Sequence, residues 1–354
     1  MNSSSSTDSL LADAVEDVLR GHCDLRVVRR IEAGESADGL WRQLTDSGFA
    51  DALVPAASDG AGLSLREASP IAIACGRHVL PLPLALTMPV RAALALRGLA
   101  VPEGPITIAP HAVQQEGGVI EAASVPYLRT AQWVLVSDAQ RDLLLPVAAA
   151  TRVTCAPREL SGRVRWERLP SDALAWSRSG DAAGSLVDWL AMAAALTAAQ
   201  MAGAMQRVCE MTVNYANERV QFGKPIARLQ AIQQQISVLA EQVWAVRSGA
   251  SIGLCPVQGT ALCVEPLRAA VAKARASEAV VAVTAIAHAV HGAIGVSEEY
   301  DLQMLTRQLH EWRAQYGSES HWNTRLGATL LADERSALQF IQQRIAPGAM
   351  AFTT

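Results

Sequence analysis

Large aromatic side chains are scarce in this sequence: Phe, Tyr and Trp make up 5% of its 354 residues, against 50% hydrophobic residues in all. A chain poor in rings and rich in alanine packs helices closely, and a predominantly β fold is disfavoured. An excess of positive charge is missing too. With 30 Lys and Arg against 34 Asp and Glu, the formal net charge is −4, which argues against nucleic acid or an anionic membrane as a general partner. Six cysteines (Cys23, Cys75, Cys155, Cys209, Cys255, Cys263) are scattered with no CxxC pair. They read as reduced thiols, neither a disulfide framework nor a metal set.

The N-terminus has no basic region followed by an apolar run, so no secretory signal is expected. Two apolar stretches approach bilayer length. Residues 186–205 carry Asp188 and Gln200 and are dominated by alanine; residues 279–297 hold His288, His291, Gly292 and Gly295. Both are expected as core helices of a soluble, cytoplasmic protein.

What is present divides into three textures. Helices are expected over 9–20, 39–47, 65–75 and 88–99, behind a serine-rich tip expected to be disordered. Between about 101 and 180 the sequence changes to short runs rich in β-formers, at 106–109, 118–122, 133–137, 143–147 and 162–166, with Gly117-Gly118 as a hairpin turn. Helical texture then returns over 184–219, 229–249, 266–292, 299–316 and 321–346. The expected domains are therefore 1–100 (helical), 101–180 (a reduced β-domain) and 181–354 (a helical bundle).

Two segments carry chemistry. In Tyr215-Ala216-Asn217-Glu218-Arg219-Val220-Gln221-Phe222-Gly223-Lys224-Pro225-Ile226 a helix ends, a Gly-Lys-Pro turn reverses the chain and a second helix begins. Arg219 and Lys224 put two cations at one corner, and Gln221 and Gln230 add amide donors, a set suited to a phosphate or diphosphate. The same residue types also suit a solvated helix hairpin. The second segment, Val290-His291-Gly292-Ala293-Ile294-Gly295 followed by Glu298-Glu299-Tyr300-Asp301-Leu302, interrupts an apolar helix with glycines where a ligand or backbone approaches closely. His288 and His291 are three residues apart with no third ligand nearby, so no metal site is expected.

Together these segments resemble the signatures of the acyl-CoA dehydrogenase family. The first matches almost letter for letter, and Arg307 stands where that family carries an arginine after the second. Residues 46–55 and Gly60-Ala61-Gly62-Leu63 resemble its N-terminal motif, so the similarity spans most of the chain and is clearest from about 200 to 316. The resemblance implies a mainly α fold with a central β-domain: an N-terminal helical domain, a middle antiparallel barrel-like domain and a C-terminal four-helix bundle. It also implies FAD, an acyl-CoA substrate and a flavoprotein electron acceptor. In that family the first segment reaches across a subunit interface to the neighbour's FAD. Carried over, Arg219, Gln221, Phe222, Ile226, Leu229 and Gln230 make those contacts, with Val290, Gly292 and Ala293 against the same cofactor.

The departures are as informative. The family abstracts an α-proton with a carboxylate, yet its two usual positions fall here at Gly317 and Ala193. Its flavin-contacting Thr-Glu-Pro-Gly run is reduced to Ala109-Pro110-His111-Ala112, its second-signature glutamine is Ala289, and its cofactor-facing threonine is Glu319. The arm lent to a neighbour is kept while this chain's own pocket is depleted. The pattern is similar to the base-less subunit of α2β2 members that dehydrogenate steroid side-chain CoA thioesters, with a homologous catalytic subunit as partner. Two alternatives stay open: a self-sufficient homotetrameric enzyme whose displaced base is Glu319 or Asp188, and a non-enzymatic helical interaction protein.

Overall fold

The computed structural model describes residues 3–110, 112–114, 118–138, 140–178, 187–257 and 262–345. The chain packs as two compact units, one of residues 1–193 with 256–263, the other of 194–255 with 264–354. The first unit thus groups the expected helical and β regions.

Its helices are α1 (Ser3–His22), α2 (Leu25–Glu32), α3 (Asp38–Asp46), α4 (Ser69–Arg77) and α5 (Leu84–Leu96). The backbone of α1 extends back through the serine-rich tip, which is helical and not unstructured as expected. Helix α2 escaped the periodicity reading because it is short and charged. Asp24 starts it, its carboxylate accepting from the Arg26 and Val27 amides. Glu16 of α1 meets Arg77 at 3.2 Å and His78 at 2.8 Å, joining α1 to the end of α4. On α5, Arg91 grips Asp51 with two hydrogen bonds of 2.7 and 2.9 Å, and the Thr87 hydroxyl accepts the Ile106 amide at 2.9 Å, fixing the helix to the first strand.

Eight strands follow: β1 (Ile106–Ala109), β2 (Val113–Gln114), β3 (Ile120–Val125), β4 (Trp133–Ser137), β5 (Arg141–Pro146), β6 (Arg152–Cys155), β7 (Gly162–Trp166) and β8 (Leu174–Ser177). They form two four-stranded sheets, ordered β1-β4-β5-β8 and β2-β3-β7-β6. Alternating residues of both, among them Val134, Val136 and Leu145 from one and Ile120, Val164 and Trp166 from the other, share one buried core. The barrel-like middle domain is therefore corrected to an open two-sheet sandwich, with a parallel β1–β4 pair in an otherwise antiparallel region. Gly117 of the expected hairpin turn lies outside the described residues; β2 and β3 on either side pair antiparallel.

Helix α6 (Trp189–Glu218) leads into the second unit, where a two-strand ribbon, β9 (Val220–Gln221) and β10 (Lys224–Pro225), precedes α7 (Gln230–Gly253), α8 (Pro266–His291), α9 (Leu302–Ala314) and α10 (Glu319–Leu331). The expected start of α6 near Gly184 lies outside the described residues. Alanine does the packing: Ala269, Ala270, Ala272, Ala274 and Ala276 are buried along α8, which lies against α7, α9 and α10. With the turn following it, α8 is long and apolar enough to cross a membrane, yet Lys273 in its first third is buried among protein acceptors. The single helix expected over 321–346 is instead broken after Leu331. Asp333 takes the Arg335 amide and guanidinium, and Ser336 with Gln339 makes a capping box that starts α11 (Ala337–Phe340).

Candidate functional site

The ribbon β9–β10 is a hairpin whose two-residue tip is Phe222-Gly223, at φ 52° and 76°. Both tip residues with positive φ match the strand twist, as in the tightest hairpins. The Ile226 amide donates to the Arg219 carbonyl at 2.9 Å and closes the base. Glycine takes such a φ freely, but for a bulky residue it is a genuine outlier. Phe222 is also 88% exposed. Arg219, Gln221, Lys224 and Gln230 are exposed beside it, and among the described residues neither cationic side chain has a hydrogen-bond or ion-pair partner.

Beneath the tip the apolar members of both signatures meet. Ile226 and Val290 are buried in one cluster with Ala216, and Leu229, Ile232 and Tyr215 pack against it. The structure thus brings Val290 to Ile226 and Leu229, while Gly292 and Ala293 emerge exposed in the turn that follows. Gly292 has φ 65° with open space where a Cβ would stand.

Three rings bind the segments further, a contact that the sequence reading did not anticipate. Tyr215 stacks on His291 at 4.5 Å, and Tyr300 tilts against His291 at 5.1 Å. His291 Nδ1 lies 2.8 Å from the Ala287 carbonyl and therefore carries the proton. Its Nε2 is buried without a partner, and burial lowers its pKa, so the ring is neutral. His288 instead meets Thr306 at 3.0 Å. Ring stacking at i, i+76 leaves no local sequence signal.

The two positions where the family carries its base have no carboxylate, and at Gly317 a side chain is crowded out. Ala193 is fully buried on α6. Gly317 sits between α9 and α10 at φ 94°, where a Cβ would lie 2.7 Å from Trp322 Nε1 and 2.8 Å from the His321 ring. Its carbonyl accepts from Lys273 Nζ at 2.9 Å, and the same ammonium donates to Arg313 O at 3.0 Å and Ser277 Oγ at 2.8 Å. Burial pushes Lys273 down to about 7, with Glu319 holding it up in part. A spent donor of this kind anchors the turn.

The displaced-base candidates are engaged as well. Glu319 pairs with Arg313 through both carboxylate oxygens, a hydrogen bond and charge that hold it below the usual carboxylate range. Asp188 accepts the Ala191 amide at 2.9 Å at the start of α6. In the depleted flavin-contact run, Ala109 is buried in the sandwich core and offers no donor; His111 lies outside the described residues.

Against known proteins, residues 185–319 match the family Acyl-CoA dehydrogenase, C-terminal domain. The acyl-CoA dehydrogenase IpdE2 of Mycolicibacterium smegmatis is 29% identical over 310 residues, 85% of this chain and 91% of that protein. IpdE2 of Mycobacterium tuberculosis is 28% identical over 316 residues, 85% and 90% respectively. Among solved structures, a variant of the Tcur3481-Tcur3483 steroid ACAD superposes with a TM-score of 0.77 at 24% identity, covering 93% of this chain and 99% of the other. The ChsE4-ChsE5 complex from Mycobacterium tuberculosis gives 0.74 at 20% identity, covering 95% and 99%. The fold is that of the acyl-CoA dehydrogenases.

Proposed function

We propose that this chain, whose residues 185–319 match the acyl-CoA dehydrogenase C-terminal domain, is the non-catalytic partner in a FAD-dependent complex that oxidises an acyl-CoA between its α and β carbons. The observation that carries the reading is the hairpin: a strained, exposed Phe222 flanked by unpaired Arg219 and Lys224. An isolated chain gains nothing from holding a phenyl ring in that conformation in water. A neighbouring subunit's flavin, with its diphosphate and flat rings, fits the two cations and the ring.

The residues present fit FAD as an arm, not as a full pocket. Arg219 and Lys224 would neutralise the diphosphate, Gln221 and Gln230 would donate to polar edges, and Phe222 would supply an apolar ring. Ile226, Leu229 and Val290 form the apolar base, with Gly292 and Ala293 allowing close approach. When bound, the flavin accepts the hydride from the β-carbon. The proton from the α-carbon goes to a carboxylate of a homologous catalytic subunit, since Ala193 and Gly317 have none to offer. A heterotetramer of two such pairs, a steroid side-chain thioester as substrate and a flavoprotein as electron acceptor follow from the resemblance. The names of the steroid ACAD and of the ChsE4-ChsE5 complex point the same way. The self-sufficient reading loses support because Glu319 is held by Arg313 and Asp188 by a helix start.

The test is co-purification with a homologous catalytic subunit and measurement of flavin absorbance per pair. One FAD per pair is expected, and Arg219→Ala is expected to weaken its retention at least tenfold, about the contribution of a charge-assisted contact to phosphate. A yellow single chain that turns over acyl-CoA unaided would overturn the proposal.

A further inference from the structure

The outer face of the second sheet carries a cleft of about 410 Å³. On β7 the side chains of Val164 and Trp166 point into the core, so Arg163 and Arg165 point out. Strand β6 pairs Arg152 with Arg165 and Thr154 with Arg163, which gathers three guanidinium groups and a hydroxyl on one face. Arg165 has carboxylate partners, Glu167 at 2.9 Å and Glu121 at 3.9 Å. Arg152 and Arg163 have none among the described residues. Like charges directly opposite on paired strands are destabilising, and among the described residues nothing compensates two of the three.

The walls of the cleft are fixed in advance. Arg129 donates to the carbonyls of Glu159 at 2.8 Å and Ala156 at 2.7 Å, pinning the connection from β6 to β7 that forms one side. On the other side the β3–β7 register shifts between Ala122 and Val125, so Ala123 and Ser124 bulge out of the ladder. The floor between them is small, Ala123 and Gly162, which leaves a concave surface with cations on its rim.

We propose that this cleft binds a phosphate monoester, its dianion held by Arg152 and Arg163 with the Thr154 hydroxyl as a further donor. Guanidinium forks suit phosphate oxygens. A dianion neutralises the two cations that lack partners. Glu121 and Glu159 at the margin disfavour an extended acidic ligand such as a carboxylate-rich peptide, and favour a single compact anion. The site is independent of the arm's role toward flavin.

The experiment is calorimetric titration of the purified complex with coenzyme A, with its 3′-dephospho form and with inorganic phosphate. Coenzyme A is expected to bind at least tenfold more tightly than the dephospho form. The double variant R152Q/R163Q is expected to erase that difference while keeping its flavin, so that failure here leaves the flavin reading untouched. E121Q, which removes one of the two carboxylates beside Arg165 and leaves Glu167, is expected to act in the opposite direction and tighten phosphate binding severalfold, a result that a misfolded variant does not give. Inorganic phosphate binding as tightly as coenzyme A, and lost in R152Q/R163Q, supports the same site with free phosphate as its source. Coenzyme A affinity indifferent to R152Q/R163Q, or binding of an acidic peptide but of no phosphate, would overturn it.

Discussion

The connection between α6 and α7 and the connection between α9 and α10 each turn on two consecutive residues of positive φ, Phe222-Gly223 at 52° and 76° and Tyr316-Gly317 at 55° and 94°. In both, an aromatic residue precedes a glycine. The surroundings then diverge. Phe222 is 88% exposed with no packing partner above it, whereas Tyr316 is 6% exposed and its carbonyl accepts from Trp322 Nε1 at 3.0 Å. Strained backbone persists where its surroundings over-determine it. At 316–317 those surroundings lie inside the chain: Lys273, Trp322 and His321. At 222–223 they do not, and under the proposed function the compensating contact is a neighbouring subunit's flavin. One turn is locked within the chain, and the other, under the proposed function, presents a binding tip.

The largest effect expected at the sealed turn is its dependence on pH through Lys273. Burial lowers this group from an ordinary 10.5 to about 7. Between those values the unfolded chain binds the proton that the folded chain has released, so the unfolding free energy rises with pH. Each unit contributes at most about 1.4 kcal/mol, on the order of 4 kcal/mol between pH 7 and pH 10. Urea unfolding at pH 7 and pH 10, wild type against Lys273→Met, reads the difference. Parallel slopes in the two proteins would show that Lys273 does not titrate there.

A smaller effect separates the two glycines. Gly317→Ala puts a Cβ 2.7 Å from Trp322 Nε1 at a left-handed φ, and is expected to destabilise by roughly 3 kcal/mol, overpacking and backbone strain together. Gly223→Ala meets nothing within 4 Å and bears the strain alone, about 1 kcal/mol. Equal losses would mean that the inner turn yields to a side chain. The same crowding predicts that Gly317→Glu does not restore a base: the carboxylate has no path to a substrate from a position already filled by indole and imidazole.

Much of this was legible in the sequence. The turn at Phe222-Gly223 was readable from glycine and proline spacing, because hairpin chemistry is local. Strands at Ile106–Ala109, Trp133–Ser137 and Gly162–Trp166 were placed residue for residue by their β-branched and aromatic content. Sheet closure was not legible, since pairing of β1 with β4 is a non-local choice that no run of residues encodes. The count that put Gly317 at the vacant position was sequence reasoning, but its lock was hidden. Lys273 lies 44 residues away on an alanine-rich helix, where a lone lysine reads as a solvated charge.

The smallest effect is the most discriminating, because stability and function are expected to move in opposite directions. Phe222→Gly removes a bulky residue from a left-handed conformation in which the chain gives it no contact. The isolated protein is expected to gain up to about 1 kcal/mol against urea, somewhat less if the added flexibility of the unfolded chain offsets the relieved strain. The assembled complex is expected to lose flavin affinity, since the ring is the only large apolar surface at the tip besides Val220, which is 58% exposed. A residue kept for folding loses stability when removed, and one kept for a partner does not. Should Phe222→Gly weaken the chain and leave the flavin in place, the outward turn is no different in kind from the inward one, and the contrast between them fails.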